Sequence, residues 1–326
     1  MEFGPVTAKE MHEAVKVLDA FNTQTHEAFA PLGQAKRIHI IAEGSSRHFP
    51  AGNMIFESRK LAHGPFISAE GGVDALAHTH DDAHVVLISN SGKTKEILDL
   101  EEKLRTQGHK NIFSITRDGA SPLAERCANH VYVLGCGAEE AVAATKSVVE
   151  QALFLQSLLP NQFTAHDLQA TANAVKQILD STPTAKMIEQ IANAETIYFV
   201  GPANGLGDEL ALKFSETCKK AISLSGTGVL HGPQETIKAH DVIVLLDPPR
   251  AHTTKFKQVL EDQADAHIIA LAPQETPFPT IVLPQAPANL AAYTHLAAGW
   301  ALLLGTANAL KINIDKPKRA QKVGYQ

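Results

Sequence analysis

The feature that most constrains the fold is an internal repeat of two apolar segments. The segments of the first half have counterparts in the second half: 37–46 with 196–205, and 84–91 with 241–249. Gly201 lies 157 positions after Gly44, and Asp247 lies 158 positions after Ser89. Two different segment pairs with nearly the same offset indicate a duplicated structural unit.

Both halves alternate short strand-like runs with helical patterns. In the first half the strand-like runs are R-I-H-I-I-A (37–42), V-V-L-I-S (85–89), N-I-F-S-I-T (111–116) and H-V-Y-V-L (130–134), and the helical patterns lie at 47–62, 94–107 and 139–159. This alternation predicts an α/β fold in which each half is a parallel sheet with helices on both faces.

The two halves divide before a helix predicted to begin around Thr164. We expect one unit over 1–160, including an N-terminal helix, and a second unit over 161–310. A long apolar helix at 288–306 closes the second unit. The remaining residues, 311–326, contain little apolar material and are predicted to form a tail.

Charge and motif content exclude several classes of function. The net charge is −6 and the pI is about 6.2, so a nucleic-acid partner is not expected, and an anionic ligand must be held by local groups. Sixteen histidines are present, but none forms His-Glu-x-x-His or another tight ligand pattern. The sequence therefore predicts no metal site.

Cysteine usage and hydropathy indicate the cellular compartment of the protein. Cys127, Cys136 and Cys218 are scattered, with no Cys-x-x-Cys pair, which fits a reducing cytoplasm. The N-terminal residues have neither the basic nor the apolar region of a signal peptide. The longest apolar stretch, 296–310, is too short to span a bilayer and is typical of a core helix. We expect a cytoplasmic protein without a membrane partner.

The two copies differ chemically where their equivalent strands end. The first copy has Glu-Gly-Ser-Ser at 43–46 and Ser-Asn-Ser-Gly-Lys-Thr at 89–94, whereas the second has Gly-Pro-Ala-Asn at 201–204 and Asp-Pro-Pro-Arg at 247–250. Ligands bind beyond the carboxyl ends of parallel strands, where backbone N–H groups and hydroxyls suit a phosphate. The candidate phosphate ligands are Ser45, Ser46, Ser89, Ser91 and Thr94.

An ordinary helix cap is the alternative for the second of these loops. Ser91 or Thr94 would then be the N-cap residue, and Glu96 the acidic residue of the first turn. Two such loops in one copy and none in the other favour a phosphate site. Asp247 is negative, and the two prolines after it lack a backbone N–H, so the second copy does not bind an anion there.

Three further segments carry candidate chemistry. Glu209, Lys213 and Glu216 share one helix face, which suits either a carboxylate base beside a lysine or a solvent-exposed row of ion pairs. The small residues of 141–146 would let a ligand approach the backbone, or simply allow close helix packing. His231 of H-G-P is either an acid–base group or a packed loop residue.

Together, S-N-S-G-K-T, V-A-A-T-K, A-L-K-F-S-E, H-G-P and a terminal D-x-P-x-x-x-x-K resemble the sugar isomerase (SIS) domain family. The chain resembles the isomerase half of glucosamine-6-phosphate synthase over nearly its whole length. This resemblance implies two tandem SIS domains. Each would be a flavodoxin-like or Rossmann-like three-layer sandwich around a five-stranded parallel sheet.

The resemblance also implies roles for individual residues. Glu216 matches the base that moves a proton on the sugar, with Lys213 beside it. His231 matches the ring-opening histidine, which in the family reaches the site of the partner subunit in a homodimer. Lys322 matches the tail lysine that closes over the open-chain sugar. Substrate-binding positions are matched by Ser46, Ser89, Asn90, Ser91 and Thr94, and by the backbone of Val142 and Ala144.

Two segments depart from the family pattern. The tail reads K-R-A-Q-K-V-G-Y-Q, where the family usually has R-x-L-A-K-S-V-T-V-E. The first loop reads E-G-S-S, where the family often has C-G-T-S. These departures concern the details of substrate recognition more than the proton-transfer residues.

The reaction implied by the resemblance depends on the source of nitrogen. The synthase needs a glutaminase domain, whereas the first strand-like run of this sequence already begins at Arg37. The expected reaction is therefore deamination, in which glucosamine 6-phosphate and water give fructose 6-phosphate and ammonia without a cofactor. The alternatives are a deglycase of 6-phosphorylated fructosyl-amines, an aldose–ketose phosphosugar isomerase and a non-catalytic phosphosugar sensor.

Overall fold

The computed structural model describes residues 2–22 and 27–320 of the protein. These residues form two five-stranded sheets in which every strand pair is parallel. The strands are β1 (Arg37–Ala42), β2 (Phe66–Glu70), β3 (His84–Ile88), β4 (Ile112–Thr116), β5 (Val131–Val133), β6 (Ile197–Gly201), β7 (Ala221–Ser225), β8 (Val242–Leu246), β9 (His267–Ala272) and β10 (Thr280–Val282).

Helices connect the strands and cover both sheets. They are α1 (Pro5–Ala20), α2 (Ala30–Gly33), α3 (Gly52–Ser58), α4 (Gly72–Ala75), α5 (Lys95–Thr106), α6 (Pro122–Arg126), α7 (Lys146–Ser157), α8 (Ala165–Leu179), α9 (Ala185–Asn193), α10 (Leu206–Thr217), α11 (Thr253–Phe256) and α12 (Ala291–Leu310). Two π-helical segments, Arg47–Ala51 and Lys257–Gln263, lead into α3 and continue α11. The predicted α/β class is confirmed.

The repeat seen in the sequence is also a repeat of topology. The strand orders are β2-β1-β3-β4-β5 and β7-β6-β8-β9-β10, so each half has the flavodoxin-like order. The backbone N–H of Ser89 donates to Ile115 O at 3.1 Å, and that of Asp247 donates to Leu271 O at 2.9 Å. These two residues therefore occupy equivalent positions, as the sequence offset indicates. The division into units at residue 160 stays a prediction.

Most predicted elements of the first half are confirmed, but one helix start is wrong. The helical pattern at 139–159 forms a helix only from Lys146. The preceding residues form a loop because the buried carboxylate of Glu139 accepts hydrogen bonds from the backbone N–H groups of Thr145 and Ser147, at 2.9 and 3.0 Å. The predicted strands lie within one residue of β1, β3, β4 and β5, whereas the edge strand β2 was not predicted.

One hydrophobic core joins the two halves. Its side chains come mainly from α1, α7, α8, α9, α10 and α12. Trp300 and Tyr293 of α12 are buried in it, and the ring of Tyr293 meets that of Phe49 edge-on at 5.3 Å. The prediction that the long apolar stretch is a core helix is confirmed. Within the described ranges, no helix is long and apolar enough to cross a membrane.

Two glycines let the halves approach closely beside this core. Gly205 has a φ of 76°, and a Cβ there would lie 2.1 Å from the carbonyl oxygen of His48. A Cβ on Gly52 would lie 2.7 Å from Cα of Gly205. The start of α10 therefore packs directly on the π-helical segment that follows β1. This contact sets the distance between the loop after β1 and the side chains of α10.

We predict that Gly205→Ala destabilises the protein more than Gly137→Ala. Gly137 has nearly the same φ, 77°, but nothing lies within 4 Å of its Cβ position. The control therefore carries only the left-handed strain of about 1–2 kcal/mol, while Gly205→Ala adds a clash between backbones worth about 1–3 kcal/mol. Urea denaturation measures the free energy of unfolding of both variants. If both variants lost the same free energy of unfolding, the close contact between α10 and the π-helical segment would not contribute to stability.

Candidate active site

The candidate site is built around a lysine that is completely buried between the two halves. Nζ of Lys213 donates to Oγ of Ser45 at 2.6 Å and to Oε2 of Glu216 at 3.0 Å. It also lies 3.3 Å from Oε1 of Glu209. Lys213, Glu209 and Glu216 lie on one face of α10, and Ser45 comes from the turn after β1. The predicted helix face is confirmed, and the alternative of a solvent-exposed row of ion pairs is wrong.

Burial and charge set the ionisation of this cluster. Burial lowers the pKa of Lys213, but the carboxylates of Glu209 and Glu216 outweigh burial and raise it above its usual value. Burial raises the pKa of Glu209 more than the ammonium of Lys213 lowers it. Lys213 is therefore a cation at neutral pH. The side chain of Glu216 is 27% exposed, against 0% for the other two, so its carboxylate is the one that a ligand can reach.

The loop after β3 holds its hydroxyl groups in a tight turn. Oγ of Ser89 and Oγ1 of Thr94 share a hydrogen bond of 2.7 Å. Thr94 occupies the N-cap position of α5, but its side chain makes no cap hydrogen bond, and Ser91 accepts from the N–H of Lys93 at 3.2 Å. A Cβ on Gly92, whose φ is 64°, would lie 2.0 Å from Oγ of Ser121, so only glycine fits this turn.

The loop before α7 is tied to the loop after β3. Glu139 accepts from Oγ of Ser147 at 2.6 Å and from Nδ2 of Asn90 at 3.5 Å. Asn90 thus connects two of the predicted substrate-binding segments through its side chain. Val142 and Ala144 lie in the loop between these anchors and are partly exposed. The predicted contact of their backbone with the sugar stays a prediction.

The loops after β1 and β3 leave neighbouring strands at the same edge of the sheet. Ala42 pairs with Ile88 at the carboxyl ends of these strands. Ser45 and Ser46 are both buried in the turn Gly44–Ser46. The hydroxyl of Ser45 is engaged by Lys213, so its predicted contact with phosphate stays a prediction.

His231 lies apart from the lysine cluster in the described residues. It follows the turn Gly228–Leu230, its side chain is exposed, and Nε2 lies 3.4 Å from Oγ1 of Thr227. The alternative that it is a packed loop residue is therefore wrong. The exposed position leaves its predicted role in a partner subunit as a prediction.

The beginning of the tail is anchored and lies near Glu216. Asp315 is buried and accepts from the N–H and Oγ1 of Thr7, at 2.8 and 2.6 Å. A cleft of about 770 Å³ has Glu216 on one wall and the residues 316–320 on another. Its cationic lining residues are Lys219, Lys220, Lys311, Lys316, Lys318 and Arg319. Lys322 lies outside the described residues.

His48 is a site residue that the sequence did not reveal. It lies in the π-helical segment and lines a second cleft of about 720 Å³ with Arg47, Arg59 and Asp208. Burial lowers the pKa of His48, partly opposed by Asp208, and the charges of Lys213 and Glu216 also act on it. The available signal was its position two residues after the Ser45–Ser46 turn.

The match to a known family lies in the half that contains the loops after β1 and β3. The SIS domain family matches residues 32–160, which run from α2 to the end of α7. The match includes the loops after β1 and β3 and the loop that precedes α7.

Relatives with curated names resemble nearly the whole chain. The glutamine–fructose-6-phosphate aminotransferase (isomerizing) of Methanocaldococcus jannaschii is 24% identical over 96% of this chain and 30% of its own length. The corresponding protein of Staphylococcus aureus is 25% identical over 96% of this chain and 57% of its own length. The chain therefore spans between 30% and 57% of the length of these two relatives.

Solved structures share the fold over the full chain. The glucosamine-6-phosphate deaminase of Thermotoga maritima has a TM-score of 0.74 and 17% identity, covering 97% of this chain and 98% of that one. The tagatose-6-phosphate ketose/aldose isomerase of Escherichia coli has a TM-score of 0.75 and 18% identity, covering 96% and 95%. At these identities the likeness establishes the fold alone.

We predict that Lys213→Met destabilises the protein by about 3–5 kcal/mol, because it leaves Glu209 buried without a cation. Adding Glu209→Gln removes that uncompensated charge and should recover part of the loss. The matched control is Lys257→Met, whose side chain is half-exposed in its pair with Glu261 and should change stability little. Urea denaturation of the wild type, the two single variants, the double variant and the control decides it. Additive effects of Lys213→Met and Glu209→Gln would contradict the coupling.

Proposed function

We propose that the chain deaminates glucosamine 6-phosphate, giving fructose 6-phosphate and ammonia through an aldose–ketose proton transfer. The observation that carries the proposal is the reachable carboxylate of Glu216, held 3.0 Å from the buried ammonium of Lys213. A base for this reaction must be exposed to substrate on one side and fixed on the other. Glu216 meets both requirements.

The proposed sequence of steps conserves the atoms of sugar and water. Glu216 removes the proton from C2 of the open-chain sugar and returns a proton to C1, acting first as base and then as acid. The C1 carbonyl oxygen takes up a proton as the enolamine forms, and the amine nitrogen gives one up as the enolamine becomes an imine at C2. Water adds to this imine, and ammonia leaves as the C2 carbonyl forms. The ammonium of Lys213, 3.0 Å away, holds the carboxylate in place before the first transfer.

The serine loops are proposed to hold the phosphate of the substrate. Ser89, Ser91 and Thr94 lie at the N-terminus of α5, a helix of twelve residues, where backbone N–H groups and the helix dipole favour an anion. The partly exposed backbone of Val142 and Ala144 would contact the sugar. Binding energy from the phosphate then orients carbons that the phosphate does not touch.

Two further roles are proposed from the family resemblance. The exposed position of His231 is consistent with ring opening in the partner subunit's site of a homodimer. Lys322 is proposed to reach the open-chain sugar, because residues 316–320, just before it in sequence, line the same cleft as Glu216. We also propose that 161–310 forms a second SIS domain, which supplies the base, while 1–160 holds the phosphate and 311–326 closes the site.

The comparisons support an amino-sugar phosphate over other substrates. The curated relatives are named for the isomerising transfer of an amino group to fructose 6-phosphate, and the structure from Thermotoga maritima is named a glucosamine-6-phosphate deaminase. The ketose/aldose isomerase from Escherichia coli shares the fold equally well. A phosphosugar isomerase without ammonia release is therefore the second candidate function.

An ammonia-release assay on a substrate panel tests the proposal. The panel contains glucosamine 6-phosphate, galactosamine 6-phosphate and fructosyl-lysine 6-phosphate, with unphosphorylated glucosamine as the matched control. We expect ammonia and fructose 6-phosphate from the first compound and none from the control. Interconversion of phosphorylated sugars without ammonia from any compound would favour the second candidate. Binding without turnover would contradict both and indicate a sensor.

A further inference from the structure

A separate cluster of ligand-type side chains lies at the β1–β2 edge of the first sheet. His39 is on β1, Glu70 is the last residue of the edge strand β2, and the buried His80 lies between α4 and β3. One ligand atom from each of the three residues lies within 4.8 Å of the others. None of them contacts Lys213 or Glu216. The three positions are too far apart in sequence to form a recognisable motif.

Hydrogen bonding fixes one nitrogen of His80 and leaves the other free to bind. Nε2 of His80 lies 2.9 Å from the carbonyl oxygen of Ala75, to which it donates its hydrogen. Nδ1 of His80 therefore carries a lone pair, and it points at Nδ1 of His39 at 2.9 Å. A backbone carbonyl that holds the second nitrogen of a histidine in this way is typical of metal ligands.

His39 stands between two acceptors. Its Nδ1 faces the lone pair of His80, and its Nε2 lies 3.2 Å from Oε1 of Glu70. A neutral histidine has one ring N–H, so whichever nitrogen carries it, the other faces a second lone pair. Oε1 of Glu70 is buried and accepts no hydrogen bond from the described residues. A cation within the cluster would remove this conflict.

Protonation of His39 would also remove the conflict, but the surroundings oppose it. Burial lowers the pKa of His39 to about 4, with further contributions from His80, His78 and Arg37. The His39 ring is therefore neutral at neutral pH, which is the form of imidazole that metal binding requires.

We propose that His39, Glu70 and His80 bind a divalent first-row transition metal, with Zn²⁺ as the best match. Two imidazoles and one carboxylate form a donor set that Zn²⁺ uses when a fourth position is left open. Zn–N bonds of about 2.0–2.1 Å require Nδ1 of His39 and Nδ1 of His80 to separate by a few tenths of an ångström. The carboxylate of Glu70, which faces Nε2 of His39, must turn towards the same ion. The cluster borders a cavity of about 650 Å³, which leaves room for water at the open position.

Such a metal would connect three separate parts of the first sheet. β2 is an edge strand, held in the sheet by β1 alone, and His80 belongs to the connection into β3. Binding to the folded state but not to the unfolded chain would raise the thermal midpoint in proportion to the logarithm of the metal concentration. The thermal midpoint therefore reports the metal independently of any catalytic activity.

Zn²⁺ binding by the chelator-treated full chain tests the proposal. The variants are His39→Gln, Glu70→Gln and His80→Gln, and the control is His63→Ala, which replaces an exposed histidine outside the cluster. We expect one Zn²⁺ per chain in the wild type and in the control. Each glutamine variant should lose at least about tenfold in affinity, and Zn²⁺ should no longer raise its thermal midpoint.

Circular dichroism of each variant shows whether it folds, and Glu70→Gln, the least buried replacement, keeps the test decisive if His80→Gln does not fold. Co²⁺ serves as a second probe, because its visible spectrum reports nitrogen ligands directly. The proposal is overturned if the wild type binds no Zn²⁺. It is equally overturned if Glu70→Gln and His39→Gln bind Zn²⁺ as tightly as the His63→Ala control.

Discussion

A single buried ammonium group, Nζ of Lys213, joins the two halves of the chain at the candidate site. It binds Ser45 of the first half and Glu216 of the second, and it lies beside the buried Glu209. An ammonium taken out of water is tolerated only when its partners are fixed around it. The glycine contact between the start of α10 and the π-helical segment provides that fixed distance. The reachable carboxylate of Glu216 is positioned as a consequence.

The two sheets are alike in topology but carry different chemistry. Ser89 and Asp247 make the same backbone hydrogen bond, yet hydroxyls follow the first, and two prolines follow the second. The first half can therefore offer backbone N–H groups to an anion at this position, where the second half cannot. The second half instead contributes α10 with its charged face. A repeat of this kind lets one copy hold a ligand while the other supplies reactive groups.

Periodicity and spacing were enough to predict the local features of this chain. The strands β1, β3, β4 and β5, the core helix α12 and the shared face of Glu209, Lys213 and Glu216 all follow from local patterns. The hydrogen bond from Lys213 to Ser45 could not be predicted, because Ser45 is 168 positions away in sequence. The cluster of His39, Glu70 and His80 could not be predicted either, because its members are also far apart in sequence. The start of α7 was predicted wrongly because a side chain, Glu139, competes there for backbone N–H groups.

We propose that Glu216, fixed by Lys213, transfers the proton between C2 and C1 of a phosphosugar. The most direct test of this proposal is NMR of glucosamine 6-phosphate and fructose 6-phosphate incubated with the protein in D₂O. We expect deuterium at C1 of fructose 6-phosphate with the wild type, and none with Glu216→Gln, which still binds the sugar. Equal incorporation by both proteins, or none by the wild type, would contradict it.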